Sequence, residues 1–321
     1  MENLKDLIPG VKENELLKNH ATFKIGGPAK YFFEAKTKEE LIIAVKGAEK
    51  LKIPYFILGG GSNVLISDNG YDGLVIKQSN CDFEIDGDEV YAESGVMVVD
   101  LLDATLKADL VGWAWAAGLP GTIGGAVRGN AGAYGEAMSD SIVSVEMLVN
   151  GEVKDFTKEE MHFNYRHSIA KEIPAIVLSI NMKLKKGDTT QDKELVAKYI
   201  DYRHRTQPLD LPNSGCVFKN VDLIKNPVNE EKVISALDIT QEEYKQATKH
   251  NKLPVSFILD RMGLKGRKMG GAQVSDKHGA FIVNIGGATA EHVIMLMSDI
   301  KMKVRNELGI QLEEEIQYVG F

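Results

Sequence analysis

Cysteine is almost missing from this chain: Cys81 and Cys216 are the only two in 321 residues. They are too few and too far apart for a disulfide framework, which points to a reducing compartment and makes the cytoplasm the expected location. No apolar run reaches the roughly 20 residues that a spanning helix needs. The first twenty residues carry Glu2, Lys5, Asp6, Lys12, Glu13, Glu15 and Lys18 among short apolar runs, so no secretory core is expected. Positive charge is in deficit, with 38 Lys and Arg against 46 Asp and Glu and a net charge of −8, which argues against a general nucleic-acid or anionic-membrane surface. Familiar chemical signatures are lacking too. There is no G-x-x-x-x-G-K-[ST], and Gly59-Gly60-Gly61-Ser62-Asn63-Val64 lacks the last glycine of G-x-G-x-x-G, so neither a P-loop enzyme nor an ordinary Rossmann dehydrogenase is expected. Without H-E-x-x-H or C-x-x-C no catalytic metal is expected, and neither Ser62 nor Ser214 sits in a G-x-S-x-G elbow.

Glycine, by contrast, is concentrated. Residues 118 to 135 hold glycine at 118, 121, 124, 125, 129, 132 and 135, with mostly small or apolar residues between. So few branched side chains predict an exposed main-chain surface here, not a helix or strand. Glycine is required where φ is positive or where another group approaches the main chain, and successive N–H groups in such loops cradle phosphate or carbonyl oxygens. A second cluster, Gly59-Gly60-Gly61-Ser62-Asn63, closes the apolar segment Tyr55 to Leu58. Two such loops point to one long, phosphate-bearing ligand held at two places.

A length of 321 residues suits two or three packed units. After an N-terminal helix-like segment, Ala29 to Ala35 reads as a strand and Thr37-Lys38-Glu39-Glu40 as the cap of a helix burying Leu41, Val45, Ala48 and Leu51. Strands follow at 55–58, 64–66, 74–77 and 89–92, then a helix over 98–110. Asn150-Gly151 joins the strands 142–149 and 152–156 in a hairpin, 175–184 is a further strand, and Leu195, Val196, Tyr199 and Ile200 mark a helix over 192–205. The proline-punctuated run Thr206 to Pro212 is the main boundary. Beyond it a smaller α+β unit contains helices at 255–262 and 289–308, a strand at 280–284 and a final strand at 310–319. Within the 221–254 segment, Thr240-Gln241-Glu242-Glu243 signals an additional helix.

Read together, eight stretches resemble, in order, the motifs of the UDP-N-acetylenolpyruvoylglucosamine reductase (MurB) family, in its shorter, type II-like form. They are His20 to Pro28, Ile57 to Leu65, Gly118 to Gly135, Asn164-Tyr165-Arg166-His167-Ser168, Gly215 to Asn220, Gly263 to Gly266, Gly270 to Asn284 and Leu312 to Gly320. The resemblance implies an α+β protein: an FAD-binding unit of the vanillyl-alcohol-oxidase/PCMH type in two subdomains (1–70 and 71–206), and a substrate-binding domain (207–308) with 221–254 inserted. A C-terminal strand (309–321) would carry a catalytic glutamate. It also implies the chemistry, in which NADPH reduces FAD and the flavin reduces the enolpyruvyl ether of a UDP-sugar to UDP-N-acetylmuramate for peptidoglycan.

Hydride addition at C3 of an enolpyruvyl group spreads negative charge from C2 into the carboxylate, so the site needs a cation, a proton donor and a further polar group. By resemblance Arg166 faces the carboxylate, as its planar fork suits. Cys216 stands where the family commonly has serine as proton donor, and a thiol of reference pKa about 8.5 is protonated at neutral pH. Ser214 is an alternative donor two residues earlier. The family's L-E-P-E-V-R pattern reads here Leu312-Glu313-Glu314-Glu315-Ile316-Gln317, assigning Glu315. On a strand Glu313 shares its face and Glu314 does not. Lys219 and Asn220 match substrate contacts, and Arg205 and Gln207 lie where such groups help. The flavin would be held by main chain around Gly59, Gly60, Gly61, Ser62, Asn63, Gly121, Thr122, Gly124, Gly125, Asn130 and Gly132. Trp113 and Trp115 are read as core, and His278 as structural. Two other readings remain at this level: another oxidase or dehydrogenase of the same flavin fold, and a non-catalytic flavin or nucleotide-sugar binder.

Overall fold

A computed structural model describes residues 3–321. The chain divides into two compact units, one of residues 3–15, 28–61 and 71–203, the other of 16–27, 62–70 and 204–321.

The first unit opens with a single-turn helix, α1 (Leu4–Leu7), and the strand Lys12–Leu16, where the sequence reads as one helix. That strand edges a four-stranded sheet continuing through Pro28–Ala35, Tyr71–Gln78 and Tyr55–Leu58, with the last two pairings parallel. Parallel neighbours need a crossover, which α2 (Lys38–Lys50) supplies. Its Thr37 Oγ1 accepts from the Glu40 N–H, and Leu41, Val45 and Ala48 are buried as their spacing predicts. A second, antiparallel sheet runs in the order Glu152–Thr157, Ile142–Val149, Ala175–Lys183, Glu89–Glu93, Phe83–Asp86. Asn150 and Gly151, both at positive φ (51° and 77°), make the hairpin expected of them. The central strand 175–183 is apolar almost throughout because both its faces are covered. Leu178 packs with α1 and α2, while Val177 and Ile180 pack with α3 (Val98–Lys107), Trp113 and Trp115. The two tryptophans are core, each 1% exposed and edge-on at 6.2 Å.

The glycine-rich run corrects its reading as wholly loop. Ile123–Arg128 is a helix, α4, capped by Thr122. The cost of Gly124 and Gly125, roughly 1 kcal/mol each, is offset by burial of Ile123, Ala126 and Val127 against the core. The unit ends on α5 (Thr190–Thr206). Of its apolar stripe only Val196 and Tyr199 pack on the core, while Leu195 and Ile200 are 38% and 39% exposed.

In the second unit an antiparallel sheet of Asn213–Cys216, Phe281–Asn284, Ala272–Val274 and Lys268–Met269 shares one core with every helix that follows α5. The 221–254 segment holds two helices, α6 (Glu230–Leu237) and α7 (Gln241–Ala247), the latter with the Thr240/Glu243 capping box. Its ends meet in a short ladder, Val221 opposite Leu253. Val233, Leu237 and Tyr244 are buried in the domain core, so the segment is structural substance and not a loose appendage. α8 (Val255–Arg261) and α9 (Ala290–Leu308) complete the helices. The last strand is shorter than expected. Gln317–Val319 pairs in parallel with Val64–Ile66, while residues 311–316 run against the Val217–Lys219 segment by isolated bonds.

Candidate active site

The two glycine clusters touch within the first unit. A Cβ on Gly60 would lie 2.7 Å from Gly121 Cα, and one on Gly59 would lie 2.6 Å from Thr122 Oγ1. Both are closer than real side chains come, so these glycines are needed for one loop to lie on the other. Gly121 and Gly61 also take φ of 108° and 66°. Gly124 is pinned from below: its N–H donates to Ser94 O (2.8 Å), and a Cβ there would meet Ser94 Cβ at 2.8 Å. Ser94 belongs to a buried network the sequence reading missed. Gln78 Nε2 donates to Ser94 Oγ and to Val177 O, and Asn80 Nδ2 also reaches Ser94 Oγ. Its members lie far apart in sequence and follow no period, so only Gln78 at the end of an apolar strand hinted at it.

The N–H groups of Ile123 and Gly124 are occupied by Val96 O and Ser94 O, so the first turn of α4 is not a donor site. Thr122 is different. It is a non-hydrogen-bonded partner of Met97, which turns its N–H away from that strand. Among the described residues the N–H groups of Gly59, Gly60 and Thr122 donate to no acceptor in the chain. Unpaired main-chain donors at a crossing of two glycine loops suit a diphosphate. The residues present therefore fit a dinucleotide such as FAD. Gly125, exposed on α4, has nothing nearer its Cβ position than Thr122 Oγ1 at 3.7 Å.

Beside these loops lies the Tyr-Arg-His-Ser motif. Asn164 and His167 exchange main-chain hydrogen bonds at 3.1 Å, leaving Tyr165 and Arg166 as a two-residue tip with Arg166 at φ 54°. The tip is laced to the glycine run by Asn130 Nδ2 to Asn164 O (3.0 Å), Ser168 Oγ to Arg128 O (2.8 Å) and Arg166 Nη1 to Gly132 O (3.2 Å). The guanidinium also lies 5.4 Å from the Tyr165 ring centroid. Arg128, on α4, is a second cation that sequence reasoning passed over. Burial pulls its guanidinium below the usual arginine range.

In the second unit Cys216 and Glu315, a hundred residues apart, are brought onto neighbouring chain segments. Glu315 N–H donates to Val217 O (2.9 Å) and Lys219 N–H to Glu313 O (2.9 Å), with Phe218 opposite Glu314. Asn63 fixes the same segment from a third direction: its Nδ2 donates to Glu315 O (3.1 Å) and its carbonyl accepts from Gln317 N–H. Glu313 and Glu314 have different partners. Glu314 pairs with Lys301 of α9 (2.8 Å); burial and then the Glu314 charge push the Tyr318 hydroxyl up to about 12. Glu313 pairs with Lys219 at 3.2 Å. Ser214 is 1% exposed and donates its hydroxyl proton to Val64 O (3.0 Å), which leaves it no role as proton donor. Cys216 is half-buried and free of any disulfide. A register shift between Asn213 and Cys216, with Gly215 at φ 73° and its N–H held by Asn213 Oδ1 (2.9 Å), forms a bulge at the thiol's position.

Of the remaining candidates, Asn220 Oδ1 accepts from Val255 N–H at the start of α8 (3.2 Å), so part of its hydrogen-bonding capacity is structural. Arg205 and Gln207 lie at and just beyond the end of α5. His278 packs edge-on against Phe281 (4.8 Å) with Nδ1 buried and unpartnered; burial, then the Lys265 charge, lowers its pKa.

A dinucleotide-binding α+β unit followed by a separate α+β domain bearing a thiol and a carboxylate defines the class: a flavin-dependent oxidoreductase. A family model described as FAD binding domain matches residues 29–157, and one described as UDP-N-acetylenolpyruvoylglucosamine reductase, C-terminal domain, matches residues 207–319. The UDP-N-acetylenolpyruvoylglucosamine reductase of Alkaliphilus oremlandii is 37% identical over 96% of this chain and 92% of its own length. That of Lactobacillus acidophilus is 37% identical over 99% and 98%. The crystal structure of the Thermus caldophilus reductase (MurB) superposes with a TM-score of 0.75 at 29% identity, covering 96% of this chain and 98% of that one. The chain belongs to the UDP-N-acetylenolpyruvoylglucosamine reductase family.

Proposed function

We propose that this chain reduces UDP-N-acetylenolpyruvoylglucosamine to UDP-N-acetylmuramate for peptidoglycan synthesis, with Arg166, Cys216 and Glu315 acting on the enolpyruvyl group. Bound FAD, reduced by NADPH, supplies the hydride. The methylene carbon C3 accepts it, the C2–C3 double bond becomes single, and the electron pair it releases settles on C2 and the carboxylate. Arg166 stabilises that charge through its guanidinium, an effect strongest where water is excluded. Cys216 Sγ gives its proton to C2, and Glu315, one residue out of register on the adjoining segment, stabilises the intermediate or assists that transfer. The observation that carries this assignment is the bond from Glu315 N–H to Val217 O. It holds the thiol's neighbour and the carboxylate's own backbone at one rung.

The main-chain groups around Gly59 to Asn63 and at Gly121 and Thr122 hold the flavin in this reading, with α4 and the run on to Gly132 lying alongside it and the subdomain division falling near residue 70. Lys219, Asn220, Arg205 and Gln207 bind the UDP moiety. No helix among the described residues is long and apolar enough to cross a membrane. We place the reaction in the cytoplasm, on a diffusing UDP-sugar, with neither nucleic acid nor membrane taking part. The test is NADPH oxidation by the yellow, flavin-loaded protein with and without the enolpyruvyl substrate. Oxidation that depends on this substrate and yields UDP-N-acetylmuramate is expected. Equal oxidation without it, or with simple sugars and alcohols in its place, refutes the reading.

A further inference from the structure

The glycine run ends in a hairpin whose chemistry does not suit its geometry. Ala133 pairs with Glu136 and Gly132 with Ala137, leaving Tyr134 and Gly135 as a two-residue turn with φ of 57° and 95°. A turn with both central residues at positive φ favours Asn-Gly, and a bulky side chain in its first place is a strained choice. Such strain persists only where the surroundings impose it, and it concentrates at functional positions.

Here the surroundings are α5. The Tyr134 ring stacks on Tyr199 at 3.7 Å between centroids and 8° between planes. It meets Tyr202 edge-on at 6.3 Å, and the Arg203 guanidinium lies 5.8 Å from its centroid. Tyr199, Tyr202 and Arg203 follow i, i+3, i+4 spacing and so present one helix face. The hairpin tip is thus fastened to a rigid element through one aromatic ring. The other end of the same short hairpin is Gly132, whose carbonyl accepts the Arg166 Nη1 hydrogen bond. Arg166 is itself at positive φ, so one strained tip is bonded to the base of the hairpin that carries the other.

We propose that Tyr134, clamped by Tyr199, is a positioning residue for Arg166. The stack fixes the hairpin, the Gly132 carbonyl fixes one edge of the guanidinium, and the remaining N–H donors keep the direction in which a substrate carboxylate is received. This rests on the assignment of Arg166 to the enolpyruvyl carboxylate.

Tyr134→Gly tests it cleanly, because glycine removes the ring while accepting the turn's dihedral angles better than tyrosine does. In the flavin-loaded protein under anaerobic conditions, reduction by NADPH is expected to stay near wild type. Reoxidation by the enolpyruvyl substrate should slow on the order of 10- to 100-fold, the usual consequence of misplacing a binding group by about 1 Å. Tyr134→Phe, which keeps the stack, should restore it, and Tyr199→Ala should reproduce the defect. Equilibrium binding gives an independent readout: affinity for the enolpyruvyl substrate relative to UDP-N-acetylglucosamine, which lacks the carboxylate, should fall in Tyr134→Gly. In an Arg166→Ala background Tyr134→Gly should add little. Wild-type reoxidation in Tyr134→Gly, or additive losses in the double variant, overturns the positioning role while leaving Arg166 in place. Wild-type reoxidation in Arg166→Ala overturns the assignment of Arg166 beneath it.

Discussion

Substituting Gly125 separates what the glycine run does for the chain from what it does for the cofactor. Gly125 is exposed on α4, and a Cβ there meets only Thr122 Oγ1 at 3.7 Å, an ordinary contact. Alanine therefore fits, and removing glycine from a helix should stabilise the flavin-free protein by about 0.5–1 kcal/mol. At about 2–4 °C per kcal/mol that is a rise in Tm of roughly 1–4 °C. On the proposed function the flavin lies against α4 and would meet the methyl, so FAD affinity should fall at least about tenfold, or ~1.4 kcal/mol. Gly60→Ala is the contrasting case. Its Cβ would stand 2.7 Å from Gly121 Cα, about 1 Å inside the optimum for two carbons, and the obstacle is main chain. That variant should lose both Tm and FAD. The assay is thermal unfolding of flavin-stripped protein, followed by FAD titration monitored by quenching of flavin fluorescence. Wild-type FAD affinity in Gly125→Ala would mean that α4 does not face the cofactor. Unchanged Tm and affinity in Gly60→Ala would refute the packing of one loop on the other.

Cys216→Ser should keep substantial turnover, whereas Cys216→Ala should still be reduced by NADPH yet lose roughly 10²- to 10⁴-fold in reoxidation by substrate; equal turnover in wild type and Cys216→Ala would remove the thiol from the mechanism. Glu315→Gln should slow that half-reaction far more than Glu313→Gln, whose carboxylate is paired with Lys219 at the surface; the reverse order moves the site by two residues. Glu93 is 8% exposed with Oε2 unpartnered, and burial raises its pKa. The folded state then holds the proton more tightly than the unfolded one, so stability is lost as pH rises through the folded value. Glu93→Gln should accordingly raise Tm at pH 8, with the gain shrinking toward pH 4; a gain that grows on acidification contradicts this. His278 has the opposite sign, since a lowered pKa costs stability as pH falls below about 6.5. His278→Gln should flatten the acid side of the stability profile, and an unchanged slope rules the residue out as its source.

Periodicity and turn chemistry made much of the scaffold legible. Thr37, Thr240 and Thr289 cap the helices they announce, and Asn150-Gly151 turns where it should because those residues accept positive φ. What escaped was decided by partners remote in sequence. α4 forms within an unpromising glycine-rich run because Val96 and Ser94 take its first N–H groups and the core takes Ile123 and Val127. Residues 311–316 alternate like a strand but are bonded to Val217 and Lys219 through isolated backbone bonds, and regular pairing begins at Gln317. The exposed half of the α5 stripe misled because periodicity reports an apolar face, not what covers it. Within the site, Cys216 and Glu315 could be named by resemblance, yet the rung from Glu315 to Val217 that joins their segments, and Asn63's hold on it, is a tertiary fact. The Tyr199, Tyr202 and Arg203 spacing was visible in the sequence, but its meaning required knowing that Tyr134 would reach that face.

The thiol at position 216, where the family resemblance leads one to expect a hydroxyl, sits in a position built by the backbone around it. Its backbone is fixed on both sides: Gly215 at positive φ, Asn213 Oδ1 on the Gly215 N–H, and Val217 N–H bonded to Ala280 O (2.9 Å). Ser214, facing the other way, anchors the bulge through Val64 O. None of these contacts uses the side chain of residue 216, so on the proposed function a serine there would keep the same backbone. The same reasoning locates the sensitive point one residue earlier. Gly215 has open space where a Cβ would go, so an alanine there meets no steric obstacle, and what it disturbs is the dihedral angle that points residue 216.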